Sequence, residues 1–210
     1  GTPLSQRIFP KGSIIVSNKR AANLKDLLLR SDPYSIKSDL RSSTPGGSDH
    51  CGRKCDKCDN MVDHVSSFTC YATDRIFQIR RKLNCATKNI IYLAYCTKCK
   101  KQGVGSTANW KPRLANYKSH IKKKISKPCR IAKHFIGNCN DHTKPYGYLR
   151  FILIDCLNNT DELSKDGIDE LLLRKEQFWI GTLCTVHKGI NSYHDWRRKS
   201  RMHQESMDDF

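Results

Sequence analysis

Between residues 89 and 196 the spacing of apolar positions alternates between strand-like and helix-like. Ile90–Tyr95 is a continuous β-branched and aromatic run of strand length. Gln102–Ser106 predicts a second extended run, carrying Gly103 and Gly105, across a Cys96–Cys99 knuckle. From Trp110 the period becomes helical. Trp110, Leu114, Tyr117 and Ile121 recur at i, i+4, i+7 and i+11, which predicts a helix over about 109–124. Ser106 or Thr107 is expected to cap it, and Pro112 is tolerated in its first turn. A short helix at Ile131–Phe135, a strand at Tyr148–Cys156 and a helix at Gly167–Cys184 follow. The order β-β-α-α-β-α predicts an α+β domain, with a small central sheet flanked by helices.

Upstream, residues 51–88 form a cysteine-rich unit in which Arg75–Lys82 predicts a strand. Residues 1–50 are expected to be peripheral, with a short strand at Ile14–Val16, helical spacing over Ala21–Leu29 and a Gly/Pro/Ser linker at Ser42–Ser48. Residues 197–210 are polar and expected to be a disordered tail. The chain opens at Gly1 without a methionine and is expected to be a piece of something larger. It shows no signal-peptide pattern and no apolar run of the ~18 residues a membrane span needs.

The formal charge of +18 is unevenly spread. Residues 89–150 carry fourteen Lys/Arg against one acid, whereas residues 151–210 carry eight against eleven. Such a block points to a polyanionic partner, and nucleic acid is the natural one because phosphate neutralisation supplies most non-specific affinity. Lys98, Lys101, Lys111, Lys118, Lys122 and Lys123 are the expected contacts. No membrane or small-molecule partner is expected.

Eleven cysteines, several at Cys-x-x-Cys spacing and without a secretory signal, favour metal binding over disulfides. Cys96 and Cys99 with His134 and His142 could form a closed, structural tetrahedral zinc site, with Cys139 a competing ligand between the histidines. Cys51, Cys55 and Cys58 supply three-quarters of a second site, whose fourth ligand could be Cys85, Cys70 or His64. Two further positions carry polar chemistry where a core should be apolar. Arg113 lies beside the buried stripe of its helix, and Glu176 falls on the line Leu172–Trp179–Leu183. A carboxylate so placed is rarely buried unless paired or metal-bound.

Taken together, the strand pair Asn89–Thr107, the Cys-x-x-Cys knuckle and the late helix resemble the GIY-YIG nuclease core, in the form found at the end of Penelope-like retroelement polyproteins. The resemblance covers about residues 85–195, and the stretch Lys19–Leu29 loosely resembles the junction between polymerase and endonuclease. It implies the CCHH zinc site above, with Cys85 favoured as fourth ligand of the other. It also implies catalytic roles for five residues. Tyr92 would be a general base, its pKa lowered by the surrounding positive charge, and Arg113 would clamp the scissile phosphate. Tyr117 would orient phosphate or water, Glu176 would hold Mg²⁺ or Mn²⁺, and Asn191 would complete the shell near that ion. The implied activity is a DNA nick whose 3′-OH primes reverse transcription of the element's RNA in the nucleus. One position departs from the pattern: Gly103 stands where the family has the tyrosine of its second motif, so either a neighbour such as Tyr95 or Lys101 substitutes or this copy is weakened or dead. The rival expectation is a zinc-stabilised nucleic-acid-binding module without catalysis.

Overall fold

The computed structural model describes residues 46–52, 55, 58, 60–140, 143–144 and 146–197, all within one unit, Ser42–Phe210. The strand and helix expected before residue 45, His142 and the tail beyond Arg197 lie outside the described residues. In chain order the strands are β1 (Gly47–Ser48), β2 (Ser67–Thr69), β3 (Ile76–Gln78), β4 (Lys82–Leu83), β5 (Lys88–Cys96), β6 (Gln102–Asn109) and β7 (Leu149–Cys156). The helices are α1 (Trp110–Lys123), α2 (Arg130–Ile136), α3 (Lys165–Thr182) and α4 (Tyr193–Arg197). This is a mixed α+β architecture of small sheets and helices. No described helix is long and apolar enough to cross a membrane.

The central sheet is antiparallel in the order β6-β5-β7. β5 lies in its middle and is buried over almost its whole length, which is why it reads as an unbroken apolar run. Tyr92 lies opposite Gly105 and Leu153, on the face where its ring meets Trp110 and Tyr117 of α1. Ile91 lies opposite Ser106 and Asp155, on the other face. There α3 attaches: Glu176 accepts from Ser106, while Lys175 and Trp179 donate to Asp155. The sheet is therefore sandwiched between α1 and α3. Every residue of the predicted α1 stripe is buried.

Three details differ from the sequence expectation. α1 is entered through Asn109, not through a Ser106 or Thr107 cap, because both of those residues remain in β6. The Thr107 hydroxyl instead accepts from the Asn109 N–H. Arg75–Lys82 is two strands, broken at Ile79–Arg81, where Arg81 turns its carbonyl to the Gly47 N–H. And the Gly/Pro/Ser stretch is not merely a linker, since Gly47–Ser48 pairs in parallel with β4. Gly46 lies so close to the Ile79–Arg81 backbone that a Cβ there would sit 2.2 Å from the Ile79 carbonyl oxygen. Ser48 is fully buried, its hydroxyl accepting from Leu153 N–H. The cysteine-rich segment shares the same core, through Phe68, Cys70, Ile79, Leu83 and Cys85.

Candidate active site and metal centres

β6 is the edge of the central sheet, so its even-numbered residues turn backbone groups away from β5. Gln102, Val104 and Ser106 are met there by partners from the C-terminal half or from α1. Gln102 C=O accepts from Ile190 N–H at 2.8 Å. Val104 donates its N–H to Asn191 Oδ1 at 2.7 Å and accepts from Asn191 Nδ2 at 2.9 Å. Ser106 C=O accepts from Arg113 Nη2 at 3.3 Å. A polar pocket of about 130 Å³ lies along this edge, lined by Tyr92, Arg113, Tyr117, Glu176 and Asn191. Val104, Gly105, Ser106, Cys129, Arg130, Ile131 and Asp195 complete its wall. The five residues named from the resemblance thus meet in one place although they span about a hundred positions of sequence.

Gly105 makes room for the pocket's floor. A Cβ there would lie 2.4 Å from the Tyr92 hydroxyl and 2.6 Å from Cζ of its ring. The Tyr92 and Tyr117 hydroxyls are 2.8 Å apart and hydrogen-bonded. Burial pushes the Tyr92 hydroxyl well above the usual tyrosine value, and the Arg113 charge is the largest influence acting against it. Burial raises Tyr117 likewise, with Tyr92 adding to it. The expectation that positive charge lowers Tyr92 is therefore overturned: the residue is only 1% exposed, and desolvation of the phenolate outweighs the guanidinium. Arg113 is in turn held more firmly protonated, first by Tyr92.

Glu176 is 6% exposed and accepts from the Ser106 hydroxyl at 2.6 Å. A buried carboxylate at a polar pocket, beside a hydroxyl oxygen, is a donor set suited to a hard divalent cation that keeps most of its own waters. Asn191 is committed differently from expectation, since both ends of its amide bind Val104 backbone. Gly103 faces Ile190, Ile131 and Asn191, with its Cβ position 3.1 Å from Ile190 Cβ. Ile190 and Ile131 crowd the first atom of any side chain placed there. Neither Tyr95 nor Lys101 lines the pocket. Sequence reasoning missed Ser106, Cys129, Arg130 and Asp195. Ser106 carried a signal, as a polar residue in an otherwise buried strand end, but it was spent on a helix cap.

Two clusters could hold zinc. The sulfurs of Cys51, Cys55, Cys58 and Cys85 lie within 4.8 Å of one another, with Cys55–Cys85 and Cys51–Cys58 both at 3.9 Å. Zn–S bonds of ~2.3 Å in a tetrahedron put sulfurs about 3.8 Å apart, whereas a disulfide needs ~2.05 Å. Cys85 is thus the fourth member. Cys70 instead points its thiol at the Leu183 carbonyl, and His64 lies exposed against Asp49 and Asp63.

The second cluster is Cys96, Cys99, His134 and Cys139, with Cys99 Sγ 3.3 Å from His134 Nε2. Cys139 joins because its N–H closes on the His134 carbonyl just after α2, drawing its thiol back over the knuckle. Burial keeps His134 neutral, ready to coordinate. It also pushes the Cys139 thiol up to about 12, helped by hydrogen bonds with Cys99 and Cys96. Burial acts to raise Cys99 too, but the Lys101 N–H and the neighbouring thiols bring it below the ordinary value. A bound dication deprotonates coordinating thiols outright.

Lys98, Lys101, Lys111, Lys122 and Lys123 are exposed, and Lys118 is half-buried. Lys98 sits over the Tyr148 ring and Lys118 over Tyr146, at 5.5 and 5.3 Å, so the knuckle and α1 share one basic surface. Compared with known proteins, the chain matches no protein-family model, no curated protein and no solved structure.

Proposed function

We propose that this chain is a metal-dependent DNA endonuclease of the GIY-YIG type, acting as the nickase of a Penelope-like retroelement. The single observation that carries this reading is the convergence of Tyr92, Arg113, Tyr117, Glu176 and Asn191 on one polar pocket that Arg130 also lines. In the proposed mechanism Arg113 binds the scissile phosphate through its N–H fork, its orientation fixed by the Ser106 carbonyl. Tyr92, in its phenolate form, takes the proton of the attacking water and becomes the neutral phenol, and Tyr117, bonded to the Tyr92 oxygen, orients that water. Glu176, steadied by Ser106, would hold Mg²⁺ or Mn²⁺. The chemistry such an ion would supply at Glu176 is Lewis acidity toward the departing 3′ oxygen. Asn191 pins the strand that carries the pocket. The partners are DNA and, through the enclosing polyprotein, the element's RNA, and the compartment is the nucleus.

The rival reading is a zinc-stabilised nucleic-acid-binding module, favoured by Gly103 and by the burial that keeps Tyr92 protonated. The deciding experiment incubates the purified chain with supercoiled plasmid and Mg²⁺ or Mn²⁺. Nicking by the wild type that disappears in Glu176→Gln, with zinc content and DNA affinity unchanged, supports the enzyme. Binding without nicking leaves the module.

A further inference from the structure

We propose that α4 and the adjoining turn of α3 form a base-stacking platform for unpaired nucleotides, so that the pocket's substrate is DNA with single-stranded character. This deepens the nuclease reading and rests on it for the substrate. Three of the exposed large side chains among the described residues are aromatic and lie on these two helices: Phe178, Tyr193 and Trp196. The Tyr193 and Trp196 rings are in edge contact, with centroids 5.9 Å apart. The Arg197 guanidinium lies 4.8 Å from the Tyr193 ring centre. The Trp196 indole N–H reaches α3 at Gly181, where a Cβ would stand 3.5 Å from it, and Phe178 lies one turn back on that side of α3.

The platform is continuous with the pocket, since Asn191 and Asp195, both in this segment, line the pocket wall. Its first turn is capped, because Asp195 accepts from the Ser192 N–H and hydroxyl and donates its own N–H to the Ser192 hydroxyl. The charge suits a nucleic-acid strand. Arg113 and Arg130 lie in the pocket, and Arg197 is followed in sequence by Arg198, Lys199 and Arg201. Exposed aromatic rings beside arginines bind successive bases by stacking while the cations meet phosphate, which requires bases freed from pairing.

The test measures binding of the zinc-loaded chain to a labelled oligo-dT strand and to a hairpin duplex by fluorescence anisotropy, without added magnesium. Trp196→Ala and Tyr193→Ala should each weaken single-strand binding by about tenfold and duplex binding by less than about twofold. Trp196→Phe, which keeps a ring, should retain most of the single-strand affinity. Oligo-dT should quench the wild-type tryptophan emission, and that quenching should be lost in Trp196→Phe. Equal loss on both DNA forms, or no loss on either, overturns the platform. So does a change in oligomeric size of the alanine variants in gel filtration, which would assign the rings to a second copy of the chain. A wild type that nicks plasmid while the variants bind single strands normally refutes the platform alone. A wild type that stacks oligo-dT as described yet never nicks refutes the nuclease reading alone.

Discussion

Replacing Gly105 by alanine adds one methyl group at the most crowded point of the site. Its Cβ would stand 2.4 Å from the Tyr92 hydroxyl, 2.6 Å from Cζ and 2.9 Å from Cε2. An ordinary carbon contact is about 3.5–4.0 Å, so the ring has to retreat by about an ångström. It has nowhere to go. Tyr92 is 1% exposed, with Trp110 at 5.1 Å and Phe151 at 5.8 Å between ring centres, and its hydroxyl is tied to Tyr117. Gly105 is not in the left-handed region, so the whole cost is this collision. Overpacking of this kind costs about 1–3 kcal/mol, and loss of the Tyr92–Tyr117 bond adds about 1 kcal/mol. A total of about 2–4 kcal/mol lowers the melting temperature of a domain this size by about 5–15 °C. Thermal unfolding followed by near-UV circular dichroism measures it. Gly103→Ala is the internal control, because its nearest neighbour, Ile190 Cβ, is 3.1 Å away and can give slightly. Combining Gly105→Ala with Tyr92→Leu should recover most of the alanine penalty. A Gly105→Ala melting temperature equal to wild type, or below it by no more than Gly103→Ala, would refute the reasoning.

Elemental analysis should find two zinc ions per chain; Cys85→Ser should lose one, and Cys139→Ser should lose the other or weaken it. Chelation should lower the melting temperature, since structural zinc contributes folding free energy directly. Replacing Lys122, Lys123 and Lys124 together should flatten the slope of log K against log salt by about 2–3 for duplex DNA, measured by anisotropy at several salt concentrations. Because burial raises Tyr92 above the usual value, its phenolate is scarce at neutral pH, and the nicking rate should climb through pH 9 without a plateau. The same raised values favour the protonated folded state: the stability Tyr92 and Tyr117 contribute is complete below the unfolded tyrosine value of ~10 and is lost as pH rises beyond it. Alkaline denaturation above that point should be blunted in Tyr92→Phe. Gly103→Tyr should lose stability without gaining activity, because Ile190 and Ile131 fill the space.

Elements with a strong period were legible. The α1 stripe fixed which side of that helix is buried, and the unbroken run at β5 marked the sheet's centre. Cys51, Cys55 and Cys58 announced a metal cluster through local spacing, but Cys85 arrives from thirty residues away, where only the fold decides among candidates. Cys139 was visible only as a competitor lying between the histidines, since it is a turn after α2 that brings its thiol in. Asn191 was found, but its chemistry was not: whether an amide meets a metal shell or a strand edge depends on three-dimensional register. The direction of the Tyr92 shift was misjudged because the sequence displays charge and hides burial. A +13 segment is visible from composition, whereas a ring enclosed by Trp110, Tyr117 and Phe151 is not.

The outward row of β6 has a consequence for how this chain tolerates substitution. An open strand edge is a template on which another chain can add its own strand, and proteins guard such edges. Here the guards are Asn191 on Val104 and Arg113 on Ser106, residues that also line the pocket. A chain that loses Asn191 therefore leaves the Val104 N–H and C=O unpaired in a buried position, where each costs about 1–3 kcal/mol. The pocket wall and the stability of the sheet are linked in the same side chain, so Asn191→Ala should lower the melting temperature more than Glu176→Gln does.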